Sequence, residues 1–182
     1  SRQAAAQADC LQLMSQFQLK PGFHAVKHRN KKASILANAH AHGVPVSVHP
    51  GIGYDIITNH PMFKGSIVGR AAESDFELFC KAVEGLDQGS VLSVGSAIMG
   101  PQVFEKSLSC VHNVRRQEYR QNVTGHSIHV VDLQDGGKWD WTKGEPPKNS
   151  PAYYLRFCKS YSRMGGMMHY CQCDNATVIH QL

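Results

Sequence analysis

Apolar positions along this chain alternate between helical spacing and short unbroken runs, the signature of helices interleaved with buried strands. Residues 31–42, KKASILANAHAH, read as a helix closed by Gly43, and Val44–Val48 follows as a strand. The loop His49–Asp55 then carries Gly51 and Gly53. In Ser74-Asp75-Phe76-Glu77 a capping-box pattern precedes Phe76, Phe79, Cys80, Val83 and Leu86, an apolar stripe that predicts a core helix ending between Gly85 and Gly89. A run at 91–94 predicts a second strand, turning at Gly95-Ser96 into a helix over 103–113 striped by Phe104, Leu108 and Val111. Residues 115–125 read as a loop and Ser127–Leu133 as a third buried strand. The Gly- and Pro-rich stretch 134–149 predicts a long binding or lid loop carrying Trp139 and Trp141. Ser150 as N-cap with Pro151 predicts a helix through Met164, stopped at Gly165-Gly166. Met168–Cys173 is a last strand, and Asp174-Asn175-Ala176 opens a closing helix. The expected fold is α/β: a Rossmann-like parallel sheet with helices on both faces, in a single domain spanning residues 1–182.

Composition narrows the function classes. The chain has 182 residues, 42% hydrophobic and 18% charged, values typical of a globular domain. No apolar run approaches the roughly 20 residues of a membrane-spanning helix. The opening SRQAAAQADC has neither a basic region followed by an apolar one nor an initiator Met, so the expectation is a processed or truncated cytoplasmic chain without a signal peptide. The net charge of +5 gathers at Lys27–Lys32 and Arg115-Arg116 without any nucleic-acid-reading module. The six cysteines lack CxxC spacing and read as reduced and mostly buried, Cys110 among them beside its apolar stripe. Cys171 and Cys173 share a strand face but lack further ligands. Among the eleven histidines, His40 and His42, or His126 and His129, form no metal-binding pattern, so no metal is expected. No GxSxG elbow marks a serine hydrolase.

Strand-turn-helix units place small residues and backbone N–H groups where a nucleotide phosphate can approach, and ligands of parallel sheets sit at the strands' carboxyl ends. By that rule Asp55, Gly95, Ser96, Asp132 and Asp174 are site candidates, expected to converge on one cleft.

Three segments carry a resemblance: GVPVSVHPGIGYDIITNHP, VLSVGSAIMGPQVFEKSLS, and GEPPKNSPAYYLRFCKSYSRMGG with CDNATV. Over residues 30–182 the chain resembles the carboxyl-terminal half of the deoxyhypusine synthase family, in a bacterial-type branch. The resemblance implies a Rossmann-like NAD-binding fold in a homotetramer with active sites between subunits. The family's amino-terminal half has no counterpart here, which implies a homo-oligomer or a complementary chain as partner. Characterised members oxidise spermidine with NAD, hold the aminobutyl group on a lysine as an imine, and transfer it to a lysine of a translation-factor precursor. By resemblance Asp55, Gly95, Ser96, Asp132 and Asp174 are cofactor-binding, while His60, Gln102 and Trp141 are substrate-binding. Asp132 stands where the family has an asparagine. His60 replaces a polyamine-holding aspartate, and Pro101 and Gln102 replace paired histidines. Alignment on Ala152 puts Arg156 or Phe157 at the catalytic lysine's position, and an arginine stays protonated and forms no imine. The candidate amines are therefore Lys159, a turn away, and Lys143. Two functions follow: an NAD-dependent aminobutyl transferase acting on a polyamine such as spermidine, or a nucleotide-binding or assembly subunit without that activity.

Overall fold

The computed structural model describes residues 4–25 and 27–182. The chain divides into two compact units, residues 1–78 and 79–182, with the boundary inside one helix.

In the first unit, helix α1 (Ala4–Gln16) buries Leu13. Residues 31–33 form a 3-10 turn, and Ser34 caps helix α2 (Ile35–Ala41) by accepting the Ala37 N–H at 3.3 Å. Gly43 adopts φ +65° just past that helix, the left-handed ending the sequence predicts. Val44–Val48 is not a strand. A strand exists only through a ladder, and here the Val48 N–H donates instead to Asp75 Oδ2 at 2.8 Å. Helix α3 (Gly65–Glu84) starts nine residues before the capping-box pattern at Ser74. Ser74 lies mid-helix with its hydroxyl donated back to the Arg70 carbonyl, so the pattern marks no terminus.

The second unit is built on β1 (Ser90–Val94), β2 (Ser127–Asp132) and β3 (Met167–Gln172), a parallel open sheet in the order β1-β2-β3. Helix α4 (Met99–Gln117) connects the first two strands and α5 (Arg156–Ser162) the last two, while α6 (Asn175–Gln181) follows β3. Right-handed crossovers that always step to the next strand in one direction bring their helices to the same face. Accordingly Phe104, Leu108 and Val111 of α4 and Phe157, Cys158 and Tyr161 of α5 share one core with Ile128, Val130 and Met168 of the sheet. The Tyr161 hydroxyl donates to Ser93 Oγ at 3.0 Å within it. On the opposite face Leu92, His129 and His169 stand in register, the two imidazoles stacked at 4.9 Å and Leu92 48% exposed.

Two helices differ from their sequence patterns. α4 begins four residues before and ends four residues after the predicted range 103–113. The segment after Ser150 is not one helix: a 3-10 turn over Pro151–Tyr154 ends at Leu155, where α5 begins. Ser150 does cap the turn, through the Ala152 N–H at 3.3 Å.

His126 is buried edge-on to Phe104 and tight against Gly166, where a Cβ would stand 2.5 Å from the imidazole. Burial lowers its pKa against weaker opposition from the Met164 backbone and Asp87. His112 is lowered too, first by burial and then by Arg116 and Arg115. The unfolded chain binds these protons more readily, so stability present above about pH 6.5 is lost as pH falls through the lowered folded values. The urea midpoint should fall between about pH 7 and pH 5, with a shallower dependence in His126→Gln; identical slopes would contradict this.

Candidate functional site

Backbone hydrogen bonds gather four of the predicted residues at the carboxyl edge of the sheet. The Gly95 N–H donates to the Val131 carbonyl at 3.1 Å, and the Cys173 N–H donates to the Asp132 carbonyl at 3.1 Å. The turn after β1, the end of β2 and the start of α6 therefore meet, bringing together Gly95, Ser96, Asp132 and Asp174. Gly95 sits at φ +69°, and a Cβ there would lie 2.5 Å from Asn175 Nδ2. Asn175, which sequence reasoning missed, thus closes on the glycine turn. Its Oδ1 is buried without a hydrogen-bond partner among the described residues. Its adjacency to Asp174 in CDNATV was the available signal.

The carboxylates at this edge also make local bonds. Asp132 Oδ1 accepts the Gln134 N–H at 3.0 Å. Asp174 caps α6 by accepting from the Thr177 N–H and hydroxyl, and these bonds hold its carboxyl below the usual range. The remaining carboxylate oxygens of Asp132 and Asp174 are acceptors of the kind a dinucleotide's ribose hydroxyls need, whereas Asn175 Oδ1 is buried out of a ligand's reach. The amides of α4 fit phosphate less well than the sequence predicts. Ser96 Oγ already accepts the Gly100 N–H at 2.7 Å, and Pro101, buried, has no N–H to offer.

Asp55 belongs to the first unit. It follows no strand there; its carboxylate accepts the Gly51 N–H and its carbonyl accepts the Thr58 N–H and hydroxyl. His60 is exposed in the same unit, with Nδ1 accepting the Met62 N–H at 3.1 Å.

A cleft of about 370 Å³ opens between α4 and α5, directly after the Gly95-Ser96 turn. Ala97, Ile98, Pro101, Gln102 and Glu105 form one wall; Arg156, Lys159, Ser160 and Arg163 form the other. Lys159 lies in the wall at 19% side-chain exposure, with Nζ 3.3 Å from the centre of the Tyr153 ring and 3.7 Å from Glu145 Oε1. Arg163 binds the same carboxylate through Nε at 2.8 Å and through its Nη2. Its guanidinium, with a smaller contribution from Lys159, holds Glu145 below the usual carboxylate range. Of the two positions aligned with the family's lysine, Phe157 is core and Arg156 is exposed on the cleft.

Lys143 is 70% exposed, lies 3.6 Å from Asp140 and does not line this cleft. Trp141 is 3% exposed in the core, its indole N–H donated to the Gly136 carbonyl at 3.0 Å. Trp139 likewise donates to Gly144, so both indoles pin the long loop to itself. Cys110, expected in the core, is exposed because the apolar stripe of α4 faces the sheet one residue away, at Val111. No cluster of three metal-ligating side chains and no membrane-crossing helix occurs among the described residues.

The chain matches no protein-family model, no curated protein and no solved structure.

Proposed function

We propose that this chain is an NAD-dependent aminobutyl transferase of the deoxyhypusine synthase type, with Lys159 as the amine that carries the group taken from a polyamine such as spermidine. The observation that carries the reading is the position of Lys159: a half-buried primary amine on the wall of a cleft that begins at the glycine turn. The resemblance supplies the chemistry, and the Rossmann-like arrangement it implies agrees with a parallel sheet whose carboxyl edge gathers Gly95, Asp132 and Asp174.

Bound NAD would supply the hydride acceptor. Asp132 and Asp174 would hold its ribose hydroxyls, and Gln102 would face the amine from α4. Once the secondary amine of spermidine is oxidised to an imine, Lys159 Nζ adds to the imine carbon. The bond to the departing nitrogen breaks, 1,3-diaminopropane leaves, and the aminobutyl group stays on Lys159 as a new imine. Lys159 must shed a proton to attack. Glu145 is a weak base for this because Arg163 already holds its charge, so the proton leaves to solvent through the open cleft. The resemblance further supports work as a homo-oligomer or with a complementary chain.

A second reading, a nucleotide-binding or assembly subunit, is favoured by the Tyr153 and Glu145 contacts of Lys159, which are those of a structural cation. Borohydride trapping with spermidine and NAD, followed by peptide mapping, separates the two. An adduct on Lys159 that vanishes in Lys159→Met is expected. An adduct on neither Lys159 nor Lys143, in protein shown to bind NAD, leaves the subunit reading.

A further inference from the structure

The charge of the cleft says more about its occupant than the position of the lysine does. Arg156, Lys159 and Arg163 line it against a single carboxylate, Glu105. Glu105 is itself neutralised by Lys106 Nζ at 3.2 Å. Glu145, just behind the wall, serves both Arg163 and Lys159, one negative charge between two positive ones. Arg156 has no ion-pair partner among the described residues and stands at the first position of α5, one helical turn before Lys159. The balance leaves two positive charges uncompensated around a concave space of about 370 Å³. Water-exposed arginines need no partner, but cations converging on a cleft raise the local concentration of anions and repel polycations. The polar groups beside them, Gln102 and the Ser160 hydroxyl, add donors suited to oxygen acceptors.

We infer that the α4–α5 cleft binds a small molecule through an anionic head group, a carboxylate or phosphate, seated on Arg156 and reached by Lys159 and Gln102. This takes the cleft as a ligand site and is independent of the transferase reading, whose polyamine donor the same charges disfavour. The guanidinium fork of Arg156 matches a planar carboxylate or a phosphate with paired N–H donors, whereas Lys159 contributes a point charge.

The test is isothermal titration of the full chain with three probes: inorganic phosphate, 4-aminobutyrate and putrescine. The first two carry the proposed head group and putrescine carries only cations. Saturable binding of phosphate or 4-aminobutyrate, weaker by about tenfold in Arg156→Gln and falling steeply with added salt, is the expected result. The stronger of the two binders identifies the head group, and putrescine should not compete. Binding unchanged in Arg156→Gln, or putrescine binding in place of both anions, overturns the proposal. Arg156 is exposed, so the substitution leaves the fold intact, and unchanged circular dichroism verifies this. The outcome is independent of borohydride trapping: anion binding without a lysine adduct retains this inference and removes the transferase, and an adduct without anion binding does the reverse.

Discussion

Trp141→Ala should destabilise the second unit by about 3–5 kcal/mol, the range for removing a fully buried tryptophan. The side chain is 3% exposed in the same core as Ile128, Phe157 and Met168. Truncation leaves a void that the surroundings fill only partly, and it strips the Gly136 carbonyl of its indole donor. Rigid neighbours enforce the cost: Gly137 holds φ +71° beside Ala152, where a Cβ would come within 2.8 Å of the alanine's own, so the loop has no room to collapse inward. Urea unfolding followed by circular dichroism measures it. The resemblance assigns Trp141 to substrate binding, and that role predicts a different result, weakened ligand binding with an unchanged unfolding midpoint. A midpoint within experimental error of the parent would refute the core assignment.

Arg115→Met should cost about 2–3 kcal/mol, because one buried guanidinium joins three segments through charge-assisted bonds. It is 6% exposed, donating to the Glu84 carbonyl at the end of α3, to Asp87 Oδ2 at 2.6 Å and to the Gln121 carbonyl at 3.2 Å. Asp87 in turn accepts the Thr124 N–H at 2.9 Å, and Arg115 is the main cause of its lowered pKa. Methionine keeps much of the volume and removes every donor, so the loss reports the polar network rather than a cavity. Asp87 is 44% exposed and regains water when its partner goes, which keeps the cost below the 3–5 kcal/mol typical of an uncompensated buried charge. Asp87→Asn in the Arg115→Met background should add less than it does alone; full additivity would show that the two do not act together.

Arg115 also shows where reading by pattern fails. In the sequence, Arg115-Arg116 is a basic pair on a loop. In the structure Arg115 ends the buried stripe of α4, four residues after Val111, while Arg116 bonds to Asn122 at the surface. The i, i+4 spacing from Val111 puts Arg115 and not Arg116 on the buried stripe, a signal lost when the helix is read as ending at 113. Arg115 finds its partners in Asp87 and Glu84, some thirty positions back, which supply acceptors where that helix face turns inward.

The alternation of helix and strand in the second unit was legible because each element satisfies its own period. Stripes at Phe104, Leu108 and Val111 and unbroken runs in β1 and β2 can be buried only by parallel packing of sheet against helix. The same reasoning placed Gly95, Ser96, Asp132 and Asp174 at one edge, since right-handed parallel crossovers carry every strand's carboxyl end to the same side, and it placed Asp55 there too, which follows no strand. Val44–Val48 reads equally well as a strand, but a strand is a property of two segments, and the pattern of one is silent about the other. Ser74 likewise has the right residues for a helix start with helix already on both sides. The sequence alone thus determined the periodic elements of the sheet unit and the edge where Gly95, Asp132 and Asp174 meet. Only the tertiary structure decided that Asn175 closes on Gly95, that Trp141 is core, and that Lys159 faces a cleft with two arginines, because those outcomes depend on which distant groups compete for the same space and the same hydrogen bonds.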